Sequence, residues 1–198
     1  MIHASAYILI GGQSQRFGSR KWKVQIDGKP ILDHLWEKCS DFGSRWVVGK
    51  NQPIDLDKPF IVDKLILRAP FNGLYTALHH TQSEWNLILS CDLPLLTATV
   101  IEQLWRKIHN HNNSYGVIPK TKKGLEPLAG FYNRRLISLL NSKLDNKDFS
   151  LQSLIENENF TIVTMDSDKD AFFNMNTPDD YETVVSLNSI QLNTKRSD

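Results

Sequence analysis

The residues best suited to chemistry in this 198-residue chain are concentrated between positions 11 and 21. Gly11 and Gly12 end an apolar run, and Arg16 and Lys21 follow in the same segment. Glycines let backbone N–H groups approach an anion because no Cβ stands in the way. The arginine adds a planar fork of donors and the lysine a point charge. A glycine-rich turn with solvated cations is the simpler alternative, but this combination directly after an apolar run favours a polyphosphate-binding loop, with Lys21 exposed in it.

The spacing of the glycines separates this segment from two familiar phosphate-binding motifs. No Ser or Thr follows Lys21, as the P-loop motif requires for its metal. Gly11, Gly12 and Gly18 stand at offsets zero, one and seven, which does not match G-x-G-x-x-G. P-loop and dinucleotide-binding Rossmann sites therefore fit poorly.

Asp92 is the second candidate, because it follows an apolar run and precedes Leu93-Pro94. Mg²⁺ is commonly held by one or two carboxylates together with phosphate oxygens, so a single aspartate suffices. The alternative is a turn cap, which is common for Asp near proline. With a phosphate loop expected nearby, a magnesium site at Asp92 is favoured. Cys91 has no basic neighbour in sequence and is interpreted as a small buried residue rather than a nucleophile.

Several further polar positions have both a functional and a structural interpretation. Asp63 could accept hydrogen bonds from a guanine edge or a ribose, or simply end a strand. Gly73 could let a base or sugar lie against the backbone. Asn174 and Asn176 could ligate a metal or orient an acceptor phosphate, or cap a helix. Glu126 could contact the acceptor or form a surface ion pair.

The elements that must position these residues follow from the hydrophobic pattern. Short apolar runs at 6–10, 46–48, 61–62 and 85–90 alternate with amphipathic helical patterns, which predicts parallel βαβ units. We expect an α/β, Rossmann-like fold, a mostly parallel twisted sheet with helices on both faces. Open sheets of this kind bind ligands beyond the carboxyl ends of their strands. The 11–21 segment, Asp63 and Asp92 all fall at such ends.

Composition limits the partners and the location. The 23 basic and 22 acidic residues nearly balance, which argues against nucleic acid or an acidic membrane as partner. Two cysteines without a C-x-x-C pattern suit a reducing cytoplasm. No signal peptide or spanning segment is predicted. We expect one domain at 1–187 and a polar tail at 188–198.

The 11–21 segment resembles the G-G-x-S-x-R-x-G-x-x-K signature of nucleotidyltransferases. Most of the chain is similar to the molybdenum cofactor guanylyltransferases, through an ordered set of motifs. These motifs are Asp63, Gly73, Cys91-Asp92-Leu93-Pro94, Glu126-Pro127-Leu128 and Asn174-x-Asn176-Thr177-Pro178. The Gly11-Gly12 pair resembles the guanylyl rather than the cytidylyl branch.

This resemblance implies a nucleotide-diphospho-sugar transferase-like fold and a reaction. GMP would pass from GTP to the phosphate of molybdopterin, with Mg²⁺ as cofactor and pyrophosphate as the second product. The backbone of Leu9, Ile10 and Gly11 would hold the nucleotide, and Lys21 its phosphates. Asp63 would help to read guanosine, and Asp92 would bind the metal. Transient contact with proteins that deliver molybdopterin or mature molybdoenzymes is a further implication.

The chain departs from the family pattern at three positions. Arg20 stands where an acid often precedes the lysine, and Ala69 replaces the first glycine of a Gly-Pro-Leu-Ala-Gly stretch. Gly49 stands where the family can offer an asparagine, which leaves Asn51 as the substitute candidate. The alternatives are therefore a related nucleotidyltransferase that uses CTP or a sugar or polyol phosphate acceptor, or a nucleotide-binding regulator with a degenerate site.

Overall fold

The structure is a computed structural model and describes residues 1–11, 20–109, 113–166 and 168–195. Gly12 and Arg16 lie outside these ranges. The strands are β1 (Ile2–Leu9), β2 (Gln25–Ile26), β3 (Lys29–Pro30), β4 (Phe42–Gly49), β5 (Phe60–Val62), β6 (Trp85–Ser90), β7 (Gly116–Thr121), β8 (Gly124–Leu125), β9 (Ala129–Asn133) and β10 (Thr161–Thr164). The helices are α1 (Ile31–Lys38), α2 (Pro70–His80), α3 (Ala98–Ile108), α4 (Ile137–Asp145), α5 (Leu151–Asn157) and α6 (Pro178–Lys195).

One eight-stranded sheet carries the fold, in the order β10-β7-β9-β6-β1-β4-β5, with β8 paired to β7. The central strand β1 pairs in parallel with β4 and β6, so that Tyr7 lies opposite both Trp46 and Ile88. Strands β4 and β5, and β7 and β10, also pair in parallel. Strand β9 runs antiparallel to both of its neighbours. The predicted mostly parallel sheet is therefore confirmed, with β9 inserted in the opposite direction.

Helices cover both faces of this sheet, as the sequence predicts. Along β1, the side chains of Ala6 and Ile8 enter one core and those of Tyr7 and Leu9 the other. Helices α1, α3 and α6 supply the first core, and α2, α4 and α5 supply the second. Because both faces are covered, β1 is continuously apolar from Ala6 to Leu9 rather than alternating. Burial of each large aliphatic side chain contributes roughly 1.5–3 kcal/mol relative to exposure.

The carboxyl ends of β1, β4, β5 and β6 meet at one edge of the sheet. The chain leaves these ends at Ile10, Lys50, Asp63 and Cys91. The main chain ties the ends together, since Ile10 N–H donates to Val48 and Cys91 N–H donates to Leu9. The sheet therefore fixes Gly11, Asp63 and Asp92 around one opening.

Helix α6 continues past the predicted boundary at residue 187 and ends at Lys195. Its polar composition does not stop it, because no Gly or Pro interrupts residues 179–195. The side chain of Asn188 also donates a hydrogen bond to the carboxylate of Asp27 in the β2–β3 turn. The predicted polar tail is thus helical up to Lys195. Within the described ranges, no helix is both long enough and apolar enough to cross a bilayer.

Candidate active site

A cavity of about 980 Å³ opens at the carboxyl edge of the sheet. The residues that line it include predicted site residues from five separate segments of the chain. These are Leu9, Ile10, Gly11, Asn51, Asp63, Gly73 and Asp92. The topology therefore brings these seven predicted residues together at one cavity, whereas Lys21 is not among the residues that line it.

One wall of the cavity is formed by Gly11 and Asp63. The Asp63 N–H donates to the carbonyl of Gly49 at 2.9 Å, which fixes the start of the loop after β5. A Cβ at Gly11 would lie 3.9 Å from Asp63 Oδ2, so the carboxylate stands beside the end of β1. Burial raises the pKa of the Asp63 carboxyl. Among the described residues its carboxylate has no hydrogen-bond partner, which leaves it available to the donors of a ligand.

The loop between Asp63 and α2 is held by a buried polar side chain that the sequence analysis missed. Asn72 Oδ1 accepts from Leu65 N–H at 3.1 Å, and its Nδ2 donates to the carbonyls of Leu65 and Leu67 at 2.7 and 3.2 Å. Thr76 Oγ1 accepts from Lys64 N–H at 2.9 Å. An amide on the buried face of an amphipathic helix needs such partners, and this was the available signal.

Gly73 brings helix α2 close to strand β1. A Cβ at this position would lie 2.6 Å from Leu9 Cδ1, closer than carbon atoms can approach. Gly49 is also tightly packed, with a Cβ there 3.1 Å from Ile10 Cγ1. Both glycines line the cavity. Each glycine therefore allows two elements that line the cavity to pack closely, α2 against β1 at Gly73 and the end of β4 against Ile10 at Gly49.

The opposite side of the site contains Lys21 and Asp92. Lys21 Nζ donates to Asp92 Oδ1 at 2.7 Å and to Asn176 Oδ1 at 3.0 Å. The expectation of an exposed loop lysine was wrong, because Lys21 is 8% exposed in a short 3-10 helix over Lys21–Lys23. Its two partners come from distant parts of the chain, so local sequence did not predict its burial.

The position of Asp92 is fixed by its main chain. Its N–H donates to Ser90 Oγ at 3.2 Å, and its carbonyl accepts from Met175 N–H at 2.9 Å. Burial raises the pKa of the neighbouring Cys91 thiol to about 12. Cys91 is therefore a small buried residue, as expected, and not a thiolate nucleophile.

The residues present fit a magnesium ion that is completed by substrate. The described residues contain no cluster of three or more His, Cys, Asp or Glu side chains that could hold a metal by themselves. Asp92 Oδ2 has no described protein partner, and the side chain is 36% exposed. One carboxylate with phosphate oxygens and water is a usual Mg²⁺ arrangement. The donor set therefore suits a metal that arrives with a phosphate ligand.

The predicted acceptor residues separate into two groups. Glu126 lies next to Thr121 and Asn174, with Thr121 Oγ1 3.4 Å from its Oε1. Burial raises the pKa of Glu126, and hydrogen bonds from Thr121 and Asn174 and the charge of Lys123 oppose this shift. Asn176 instead contacts Lys21, as described above. The structure thus places Asn174 beside Glu126, whereas Asn176 lies beside Lys21.

Exposed cations surround the opening of the cavity. Arg20, Lys50 and Arg68 contribute to its lining, and the sequence analysis did not propose the last two. Arg20 stands where the family often has an acid, and its guanidinium lies 3.7 Å from Asp55 Oδ1. Arg20 therefore has an acidic neighbour in the loop after β4, which it shares with Lys23. Basic residues in loops at strand ends were the signal for Lys50 and Arg68.

Comparison with known proteins agrees with this geometry. The sequence profile of the MobA-like NTP transferase domain matches residues 6–162. The chain belongs to the MobA-like NTP transferase family. The profile spans β1 to β10 of this MobA-like chain, including Lys21, Asp63 and Asp92. The predicted family and the nucleotidyltransferase class are confirmed.

Individual relatives extend the similarity over nearly the whole chain. A probable molybdenum cofactor guanylyltransferase of Aquifex aeolicus is 28% identical over 187 residues, which cover 92% of this chain and 90% of the relative. One from Flavobacterium johnsoniae is 27% identical over 177 residues, or 82% and 92% of the two chains. The solved molybdopterin-guanine dinucleotide biosynthesis protein A from Archaeoglobus fulgidus has a TM-score of 0.79 at 24% identity, covering 93% of this chain and 98% of that one. The structural match confirms the fold.

Proposed function

We propose that this MobA-like NTP transferase transfers GMP from GTP to the phosphate of molybdopterin and releases pyrophosphate, with Mg²⁺ as the metal. The observation that carries the proposal is the arrangement of the cavity. A carboxylate without a described partner, Asp63, lies on one side, and the Lys21–Asp92 pair lies on the other. The names of the relatives, molybdenum cofactor guanylyltransferases, support the same substrates.

Asp63 would select the base. Guanine presents N1–H and N2–H₂ as paired donors to a carboxylate, whereas cytosine lacks this edge. A carboxylate that loses its partner in a partly buried site costs about 1–3 kcal/mol. The strand end at Leu9, Ile10 and Gly11 supplies main-chain groups beside this carboxylate. Asn51, which also lines the cavity, is the candidate for a further contact to the nucleoside.

Lys21 and Asp92 would act on the phosphates. The Lys21 ammonium neutralises Asp92 in the structure and can turn towards an incoming triphosphate, which offers more negative charge. Asp92 Oδ2 would hold the metal, which when bound supplies charge neutralisation on the phosphate oxygens and the leaving pyrophosphate. Gly12 and Arg16 lie outside the described residues, and their contribution to the phosphate loop stays a prediction.

No general base is needed for this reaction. A phosphate acceptor is already ionised near neutral pH and can attack the α-phosphorus in line. The chain's own residues then contribute by positioning and by charge stabilisation. Glu126 and Asn174 would form the wall for the acceptor. We also propose a cytoplasmic location, which two unpaired buried cysteines support, and transient contact with proteins that deliver or use the cofactor.

The test is a panel of the four nucleoside triphosphates with Mg²⁺ and molybdopterin, followed as pyrophosphate formed. We expect pyrophosphate to form from GTP, and to form only when molybdopterin is also present. Turnover with CTP rather than GTP would show that the site selects cytosine. Turnover only with a sugar or polyol phosphate would show that molybdopterin is not the acceptor. No turnover with any combination, despite nucleotide binding, would favour a regulator.

A further inference from the structure

Asp180, in the first turn of α6, makes more contacts than a helix cap needs. Its Oδ2 accepts from the main-chain N–H of Asn176 and of Thr177, both at 2.8 Å. The Asp180 N–H donates to Thr177 Oγ1 at 3.2 Å, so Thr177 already caps the helix. The bond from Thr177 N–H completes a capping box with Asp180, whereas the bond from Asn176 N–H goes beyond the cap and fixes the main chain that precedes α6.

The segment that Asp180 fixes is also the segment that contacts the phosphate site. Asn176 Oδ1 accepts from Lys21 Nζ at 3.0 Å, and Met175 N–H donates to the carbonyl of Asp92 at 2.9 Å. Residues 175–177 thus connect Asp180 to both members of the Lys21–Asp92 pair. The pKa of Asp180 is lowered, chiefly by the hydrogen bond from Asn176 N–H and also by the charge of Lys21. The Asn176 N–H and the Lys21 charge therefore both favour the ionised form of the Asp180 carboxylate.

We propose that Asp180 is a positioning residue of the phosphate site, which holds Asn176 Oδ1 where it orients the Lys21 ammonium. The inference rests on the proposed role of Lys21 in triphosphate binding. A lysine has a long, rotamer-rich side chain, so a fixed acceptor reduces the entropy that the side chain loses when it binds an anion. Asp180 makes no described hydrogen bond to Lys21 and acts through Asn176, which contacts both residues.

The chain offers a matched control beside this residue. Asp179 carries the same charge in the same first turn of α6, so it has the same interaction with the helix dipole. Among the described residues its side chain makes no hydrogen bond or ion pair. A comparison of Asp179→Ala with Asp180→Ala therefore separates the effect of charge from the effect of the two hydrogen bonds.

The experiment measures the binding of inorganic tripolyphosphate to the full chain by calorimetry, without metal. This probe has no base, so its outcome does not depend on the assignment of GTP. We expect Asp180→Ala to weaken binding about tenfold, as for loss of a charge-assisted contact, and Asp179→Ala to change it by less than about twofold. Asp180→Asn keeps one acceptor oxygen and should give an intermediate loss. Because it is nearly isosteric, this variant also gives a result if Asp180→Ala does not fold.

A double-mutant cycle with Lys21→Met distinguishes positioning from a general effect on stability. If Asp180 acts through Lys21, Asp180→Ala should cause no further loss in the Lys21→Met background. An equal additional loss would overturn the inference, as would equal effects of the Asp179 and Asp180 variants. Normal binding by both Asp180 variants, with weak binding by Lys21→Met, would also overturn it and leave the proposed function intact. Normal binding by Lys21→Met would reject the proposed role of Lys21 itself, and the inference with it.

Discussion

Asp63 and Asp92 follow strands β5 and β6 of the same sheet and line the same cavity, but they stand in opposite chemical situations. Asp92 has an ammonium 2.7 Å away and a main chain held on both sides. Asp63 is half-buried, has a raised pKa and finds no side-chain partner among the described residues. One carboxylate is neutralised by the chain, whereas the other is desolvated without compensation.

The difference indicates how each carboxylate would meet a ligand. A metal at Asp92 would compete with the Lys21 ammonium for the charge of this carboxylate, so its affinity would depend on where Lys21 goes. Asp63 already carries the cost of desolvation in the folded protein, and a ligand with suitable donors recovers it. The predictions below test the two carboxylates separately, from the largest expected effect to the smallest.

Substitution of Asp92 should have the largest effect. Asp92→Asn keeps the size and an acceptor for Lys21 but loses the charge that would hold Mg²⁺. We expect turnover to fall about 1,000-fold, since metal stabilisation of transition-state charge amounts to several kcal/mol. GTP affinity should fall much less. Single-turnover release of pyrophosphate and calorimetry with GTP would measure the two effects, with the exposed Asp57→Asn as control. Near-normal turnover would leave Asp92 as a turn cap.

Removal of the Lys21 charge should change two affinities in opposite directions. Lys21→Met retains most of the buried stem and should weaken GTP binding about 10- to 100-fold, because a charge-assisted phosphate contact is lost. The nucleotide-free protein should bind Mn²⁺ more tightly, because Asp92 no longer has a competing cation. Electron paramagnetic resonance of free Mn²⁺ would measure the second effect.

The control for this experiment is Lys23→Met, in the same short 3-10 helix. Lys23 is exposed and pairs with Asp55, and its side chain makes no described contact with Lys21 or Asp92. The Lys23→Met substitution should leave the affinities for GTP and for Mn²⁺ almost unchanged. Unaltered Mn²⁺ binding in the Lys21 variant would show that the Lys21–Asp92 pair does not compete with the metal.

The contrast between the two aspartates was only partly predictable from sequence. Alternating apolar runs and helical patterns predicted the parallel sheet, and the position of Asp63 and Asp92 after apolar runs placed both at its carboxyl edge. The burial of Lys21 was not predictable in this way. Its partner Asn176 lies 155 positions away, and no local sequence pattern predicts a contact between segments so far apart.

Other features of the site had signals that pattern reading did not use. Asn72 and Thr76 are polar residues one turn apart on the buried face of α2, a pattern that indicates a buried hydrogen-bonding role. The type and position of Asp180, an acid in the first turn of α6, match a capping box with Thr177, so the sequence alone indicates no further role for it. Helix α6 extends to Lys195 because no helix breaker interrupts it, whereas the polar composition of these residues had suggested a tail.

Base selection should depend on Asp63. Asp63→Asn replaces two acceptor oxygens by one acceptor and one donor, which no longer matches the guanine edge. We expect the preference for GTP over CTP to fall about tenfold, within the 1–3 kcal/mol of a lost polar match. Competition calorimetry with both nucleotides would measure it. An unchanged ratio would show that the base is recognised elsewhere in the cavity.

The smallest predicted effect is on thermal stability, and it should be a gain rather than the loss that most substitutions cause. Because burial raises the pKa of Asp63 in the folded state, the ionised form destabilises the fold above that pKa. Asp63→Asn removes this cost, so without nucleotide we expect the unfolding midpoint at pH 7 to rise by about 2 °C, a value kept small by solvent screening.

This gain should shrink as the pH falls through the raised pKa of the folded state, and it should disappear below the ordinary aspartate value, where wild-type Asp63 is protonated in both states. Asp57→Asn provides the opposite case, because a hydrogen bond from Lys58 lowers the pKa of Asp57. The unfolding midpoint of Asp57→Asn at neutral pH should therefore not rise above that of the wild-type protein. Thermal unfolding of both variants between pH 3.5 and about 7.5 would compare them over the range in which aspartate titrates. A lower midpoint for Asp63→Asn at pH 7 would mean that the Asp63 carboxylate has a stabilising partner in the folded chain, and the two aspartates would then be alike.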